Sequence, residues 1–198
     1  MYIQEKDDQN NVPIYQQICC ITFRESSSGP VFGNEIEKKR FLDILLNATK
    51  NSSVRIYAYC VLDREGYVLA AVRTEEELER VMENVKENFI LHYQKRFPDS
   101  VLSIVKIVKW MPQCGEKELL EACMELHMLP IRQGYSQSEL DYWWSSLNEY
   151  ILRYRSGIIY PDILLKKLSR DSKSAVRKMK ALHRKRRDRM MSVERSLL

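Results

Sequence analysis

Eight basic side chains near the C-terminus have the residue types and the spacing to bind phosphate groups. They fall in a segment compatible with a helix: Arg177, Lys178, Lys180, Arg184, Lys185, Arg186, Arg187 and Arg189. Basic helices bind nucleic-acid backbones by neutralising phosphate charge and releasing counterions. The pattern therefore predicts nucleic acid as a partner, although it contains no visible code for reading bases.

The distribution of charge separates this segment from the rest of the chain. The whole sequence of 198 residues has a formal charge of +5. Residues 165–198 contain thirteen Lys or Arg and three acidic residues, which gives +10, so residues 1–164 carry −5. A mildly acidic body is thus followed by a strongly basic tail. The alternative interpretation of the tail is a solvated segment that binds nothing.

The composition indicates a protein with a real apolar core and no membrane anchor. Hydrophobic residues make up 44% of the chain, and no apolar run approaches the roughly 18 residues of a membrane span. The N-terminus, MYIQEKDDQNN, is too polar for a signal peptide. The cysteines lack CxxC spacing, which predicts reduced, buried thiols and no structural zinc: Cys19, Cys20, Cys60, Cys114 and Cys123. We therefore expect a cytoplasmic protein.

The order of predicted elements indicates an α+β fold. Strands are predicted at Ile14–Phe23, Val54–Leu62, Gly66–Arg73 and Val101–Trp110. Helices are predicted to begin at the N-cap residues Asn34 and Thr74, with Glu77 completing a capping box, and at Glu116. The order β-α-β-β-α-β-α predicts a ferredoxin-like four-stranded antiparallel sheet with helices on one face and a C-terminal helical extension.

The chain is predicted to have four segments. Residues 1–12 are expected to be disordered, and residues 13–135 form the domain with the sheet. Residues 136–168 form a helical extension, and residues 169–198 form a basic tail helix. Because the tail is so polar, we expect it to bury little apolar surface and the sheet domain to fold without it.

Several motifs in residues 14–152 are similar to those of one transposase family. The stretch Val54–Val72 resembles a hairpin of the form AYCLMPNHVHLLV, and Val81–Phe97 resembles LMxxLxxxYxxYFNxRY. Leu126–Gly134, LHMLPIRQG, resembles IHLNPVRAG, and Asp141–Tyr150, DYWWSSLNEY, resembles DYPWSSYxxY. Their order and spacing identify the chain as a member of the REP-associated tyrosine transposases, in the single-tyrosine HUH class.

The resemblance implies a degenerate active site in a transposase-like HUH domain. The two metal-binding His positions of the family fall on Glu65 and Tyr67, and the nucleophilic Tyr position falls on Phe89. Phe89 has no hydroxyl, and a tyrosine is a poor substitute for an imidazole ligand. The resemblance therefore implies a protein that binds single-stranded or hairpin DNA, has lost strand cleavage and needs no metal or other cofactor.

Two other functions remain open at this point. In the first, the protein is an active transposase or nuclease. Tyr93, one helical turn after Phe89, would then attack the phosphorus, and Asp63 with Glu65 would hold Mg²⁺. A simpler interpretation is that Tyr93 packs on the sheet and Glu65 is a solvated turn residue. In the second, the fold is a regulatory module for protein partners.

Histidine and tryptophan residues give weaker indications. His127 is expected to make local hydrogen bonds at a helix end, and His92 is expected at the surface. Trp144 is predicted to anchor its segment on the core. Trp143 fits either packing or stacking on an unpaired base.

Overall fold

The computed structural model describes residues 3–6, 13–26, 29–112, 114–152 and 154–196. The strands are β1 (Ile3–Lys6), β2 (Pro13–Glu25), β3 (Arg55–Val61), β4 (Glu65–Val72) and β5 (Ile104–Trp110). The helices are α1 (Glu35–Thr49), α2 (Glu75–Arg96), α3 (Glu116–Arg132), α4 (Leu147–Leu152), α5 (Asp162–Leu168) and α6 (Ser172–Ser196). None of the helices among these residues is long and apolar enough to span a bilayer.

The four long strands form one antiparallel sheet in the order β5-β2-β4-β3. Strand β2 is central, because Cys20 pairs with Leu69 of β4 on one side and with Lys109 of β5 on the other. The predicted ferredoxin-like α+β fold is confirmed.

Strand β1 differs from the expectation of disorder over residues 1–12. Ile3–Lys6 pairs antiparallel with the start of β2, where Ile3 lies opposite Gln16. Antiparallel pairing uses main-chain groups that every residue except proline carries, so a polar segment can also form a strand. The other residues of that segment lie outside the described residues.

One face of the sheet packs against α1 and α2. The aromatic rings of Phe32 and Phe41 lie 5.1 Å apart, and the rings of Phe32 and Phe89 lie 5.0 Å apart. Gly66 of β4 lies beneath this cluster, and a Cβ atom there would meet the Phe41 ring at 3.2 Å. Every second residue of β4, counted from Gly66, therefore points toward α1 and α2.

The opposite face of the sheet is covered by α3 where it crosses β3 and β4. Tyr67 points to this side, where it packs with Cys60 and Leu129. Helices α1 and α2 thus occupy one face as predicted, and α3 follows the ferredoxin-like unit onto the other face.

Both predicted N-caps are present, but the predicted capping box is only half formed. The Asn34 side chain accepts a hydrogen bond from the Glu37 amide at 3.0 Å, and the Thr74 hydroxyl accepts one from the Glu77 amide at 3.2 Å. The Glu77 carboxylate does not accept a hydrogen bond from the Thr74 amide. It accepts bonds from the Ser53 amide, at 2.8 Å, and from the Ser53 hydroxyl. Glu77 therefore ties α2 to the loop that precedes β3.

The segment after α3 is less helical than predicted, because much of it runs along the edge of β3. Cys60 bridges to Ser145, and Ile56 bridges to Ile159. The Tyr150 hydroxyl donates to the Tyr57 carbonyl at 2.6 Å. Among the described residues of the predicted helical extension 136–168, only Leu147–Leu152 and Asp162–Leu168 are α-helical. The segment covers an edge of β3 that would otherwise expose unpaired main-chain groups.

Candidate nucleic-acid interface

Helix α6 is docked on the body and does not project from it. Ala175, Met179 and His183 are at most 1% exposed and recur every four residues, so they lie on one face of the helix. This face contacts α3, α4 and α5. The expectation that the tail buries little apolar surface is therefore wrong. Helix α6 has a buried face even though its average charge is high.

A chain of buried hydrogen bonds fixes α6 in place. The Tyr59 amide donates to the Ser146 hydroxyl at 3.0 Å, and this hydroxyl donates to His127 Nε2 at 2.8 Å. His127 Nδ1 donates to His183 Nε2 at 3.0 Å, and His183 Nδ1 donates to the Met179 carbonyl at 2.9 Å. Because an amide only donates and a carbonyl only accepts, this direction satisfies every group with both imidazoles neutral.

The surroundings of this histidine pair favour the neutral form. Burial lowers the pKa of His127 well below its ordinary value, and the nearby His183 lowers it further. Burial also lowers the pKa of His183, although its bond to the Met179 carbonyl and the charge of Glu139 act in the opposite direction. The Cys123 thiol, 3.9 Å from the ring nitrogens of His127, is buried and has its pKa raised by burial to about 12.

His127 thus holds two distant parts of the chain together, whereas the sequence predicts only local bonds. His183 is hard to recognise as its partner from the sequence, because lysine and arginine dominate the segment around His183. The spacing of Ala175, Met179 and His183 is the signal that could have found it, because it marks one face of a helix.

The outer face of α6 carries six of the eight basic residues predicted to bind nucleic acid. All six are exposed: Arg177, Lys178, Lys180, Arg184, Lys185 and Arg189. We call this set the α6 cationic face. From the first to the last of these residues the helix rises about 18 Å, at roughly 1.5 Å per residue. Cations spread along a helix face of this length can contact several consecutive phosphates of a nucleic-acid strand.

The other two predicted residues face the body. Arg186 forms an ion pair with Glu125 of α3. Arg187 lies 3.4 Å from Glu139, whose carboxylate is buried, and 3.0 Å from Asp188. These two arginines help to dock the helix, so their guanidinium groups are engaged inside the protein.

Glu65 and Tyr67, the positions that correspond to metal ligands, contact each other. The Tyr67 hydroxyl donates to the Glu65 carboxylate, which lies 4.0 Å from the Arg24 guanidinium. Burial and the neighbouring Glu65 raise the pKa of Tyr67, so its phenol stays neutral. Glu65 borders a surface pocket of about 340 Å³, which is also lined by Arg64 and Tyr135.

Phe89 lies on α2, the helix that faces the strand carrying Glu65 and Tyr67, but on the other side of the sheet from those two side chains. Phe89 is fully buried among Phe32 and Phe41, on the face of the sheet toward which Gly66 points. Glu65 and Tyr67 are the neighbours of Gly66 in β4, so their side chains point to the opposite face. The three positions are therefore not brought together.

Tyr93 is also on the α2 side. Its ring lies 6.4 Å from that of Phe89 and 4.7 Å from that of Phe97, in agreement with the packing interpretation. Burial and the charges of Glu25 and Glu37 raise the pKa of Tyr93, which disfavours a phenolate. Within the part of the chain that the structure describes, no three His, Cys, Asp or Glu side chains are grouped so that they could hold a metal ion.

The two adjacent tryptophans differ in their surroundings. Trp144 packs against the core, as predicted. Trp143 is 68% exposed.

One solved structure with a similar fold is described as a REP-associated tyrosine transposase bound to a REP hairpin. The similarity has a TM-score of 0.56 and covers 82% of this chain and 87% of that chain, with 10% sequence identity. No protein-family model matches the chain. No curated protein matches it either. At this level of identity the comparison shows a shared fold.

Proposed function

We propose that this protein is a transposase-like DNA-binding protein that holds single-stranded or hairpin DNA on the α6 cationic face. The observation that carries the proposal is the docking of a helix with six exposed cations on a folded body. A docked helix presents its charges at fixed spacing, so binding requires less ordering than it would for a disordered basic tail.

The fold supports the choice of DNA as the partner. The similar solved structure is that of a transposase bound to a REP hairpin. An extended cationic surface gives sequence-independent affinity for phosphates, and any preference for a hairpin would come from its shape or its unpaired bases.

We further propose that the protein does not cleave DNA. Glu65 is engaged by Tyr67 and Arg24, and the phenol of Tyr67 is held neutral. Phe89 has no nucleophilic group, and Tyr93 packs on the other side of the sheet with its pKa raised.

The binding proposal predicts a specific salt dependence. Replacing Arg177, Lys180 and Arg184 by Gln removes three phosphate contacts, each contributing roughly 0.7 to the slope of log affinity against log salt for single strands. The slope should fall by about 2, and affinity near 0.1 M salt should fall by roughly 100-fold. Titration of a fluorescent DNA hairpin with a single-stranded extension, at several salt concentrations, measures both quantities.

A matched control removes the same charge elsewhere. Lys50, Arg73 and Lys95 are exposed on the body, away from α6, and their replacement by Gln should change affinity and slope much less. Equal effects of the two triple substitutions would contradict the assignment of binding to α6 and would leave only a general effect of net charge.

The absence of cleavage is tested separately. Incubation with single-stranded DNA and Mg²⁺ or Mn²⁺ is expected to give neither nicked product nor a protein–DNA adduct on a denaturing gel. An adduct that disappears in Tyr93→Phe would establish the alternative of an active tyrosine transposase.

A further inference from the structure

Trp143 is a large aromatic side chain that the protein leaves uncovered. It is 68% exposed, whereas the preceding Tyr142 is buried and the following Trp144 is half-buried. Trp143 also stands where the similar motif of the transposase family has proline. An exposed indole offers a flat apolar surface that water solvates poorly, so it is suited to a flat apolar partner.

The main chain around Trp143 is held in place on both sides. The Tyr142 hydroxyl donates to the Val61 carbonyl at 2.8 Å, and the Val61 amide donates to the Trp144 carbonyl at 2.8 Å. Ser145 then bridges to Cys60 on the same strand. The indole therefore projects from a fixed backbone, and a partner that stacks on it need not order a loop.

The segment that carries Trp143 runs between α6 and the pocket that Glu65 borders. Glu139, four residues earlier, is the carboxylate that accepts Arg187 of α6. The Tyr142 ring lies 6.0 Å from the ring of Tyr135, which lines the pocket together with Arg24 and Arg64. Arg24 and Arg64 are exposed, so this side of the segment offers cations to the phosphates of a strand whose unpaired base stacks on the indole.

We propose that Trp143 stacks on an unpaired nucleobase of the bound nucleic acid. This inference rests on the proposed function and adds a contact that α6 cannot provide, because lysine and arginine on α6 bind phosphates in paired and unpaired strands alike. Stacking on an indole requires a base whose face is free, so Trp143 confers a preference for unpaired segments with little preference for sequence.

The test compares three probes with the full-length protein. The first is a DNA hairpin with a single-stranded thymidine extension, the second has the same extension built from abasic residues, and the third is a blunt duplex of equal charge. Trp143→Ala is expected to weaken binding to the first probe by about tenfold, with an unchanged salt slope and unchanged binding to the other two. Trp143→Phe retains an aromatic face and is expected to recover most of the loss.

The outcomes separate this inference from the function on which it rests. If Trp143→Ala binds the thymidine probe like the wild type while the α6 triple substitution still weakens binding, the stacking site is refuted and the DNA-binding function stands. A loss of equal size on all three probes would also refute stacking. If the wild-type protein binds none of the probes, the proposed function itself fails.

Discussion

Ending the chain after Ser169 is expected to lower the free energy of unfolding by about 5 kcal/mol. Removal of α6 uncovers the surface on which Met179 packs, and loss of a buried methionine contact alone costs about 2–5 kcal/mol. It also leaves the Nδ1–H of His127 without its acceptor, and a buried polar group without a partner costs about 1–3 kcal/mol. Urea unfolding followed by circular dichroism measures the change.

The same experiment distinguishes the two faces of α6. Met179→Ala should reproduce much of the loss of stability, because it removes packing without removing charge. Replacing Arg177, Lys180 and Arg184 by Gln should change stability by less than about 0.5 kcal/mol, since these side chains are exposed. A truncated protein as stable as the full chain would show that α6 does not dock.

Mild acid is expected to destabilise the protein through the buried histidine pair. In the folded state His127 and His183 have lowered pKa values and stay neutral, whereas in the unfolded chain they take up protons near pH 6.5. The unfolded state therefore binds more protons below pH 6.5, and stability falls as the pH falls. Between pH 7 and pH 5.5 the loss should be on the order of 1 kcal/mol, most of it from His127, whose pKa is lowered the more strongly.

Urea unfolding at a series of pH values tests this, and NMR identifies the cause. The imidazole signal of His127 should keep the shift of a neutral ring down to about pH 5.5, and that of His183 should titrate at lower pH than an exposed histidine. Glu149, whose pKa is raised by burial, has the opposite effect: the folded state holds its proton more tightly, so its titration adds stability as the pH falls. Stability that stays constant from pH 7 to pH 5.5, with both rings titrating, would contradict a buried neutral pair.

Much of the fold could be predicted from local patterns in the sequence. The apolar run at Ile14–Phe23 predicts the central strand, and the side chains of Asn34 and Thr74 cap helices where the sequence places them. These features depend on residues that are near neighbours in the chain, so their physical cause is visible in the sequence. Strand β1 is different, because its partner in β2 and not its own composition makes it a strand.

The candidate sites were harder to predict because they depend on which face a residue occupies. Motif spacing relates Phe89 to Glu65 and Tyr67, but it does not show which strand residues face α2, because adjacent strand residues point to opposite faces of a sheet. The basic tail posed a similar problem, since its average polarity concealed the stripe of Ala175, Met179 and His183. The sequence does not decide the role of Trp143, because two adjacent aromatic residues give no indication of which one is covered.

The bond between His127 and His183 also has a consequence for how the protein is made. The two residues are 56 positions apart, and α6 leaves the ribosome after α3. Until then, His127 Nδ1 lacks its acceptor and the surface on which α6 docks is uncovered, so the nascent sheet domain remains incompletely stabilised. The helix that completes the core is also the one that carries the cationic face. A polypeptide that ends before α6 would therefore be easily degraded and would lack the α6 cationic face, so under the proposed function incomplete products would not compete with the finished protein for DNA.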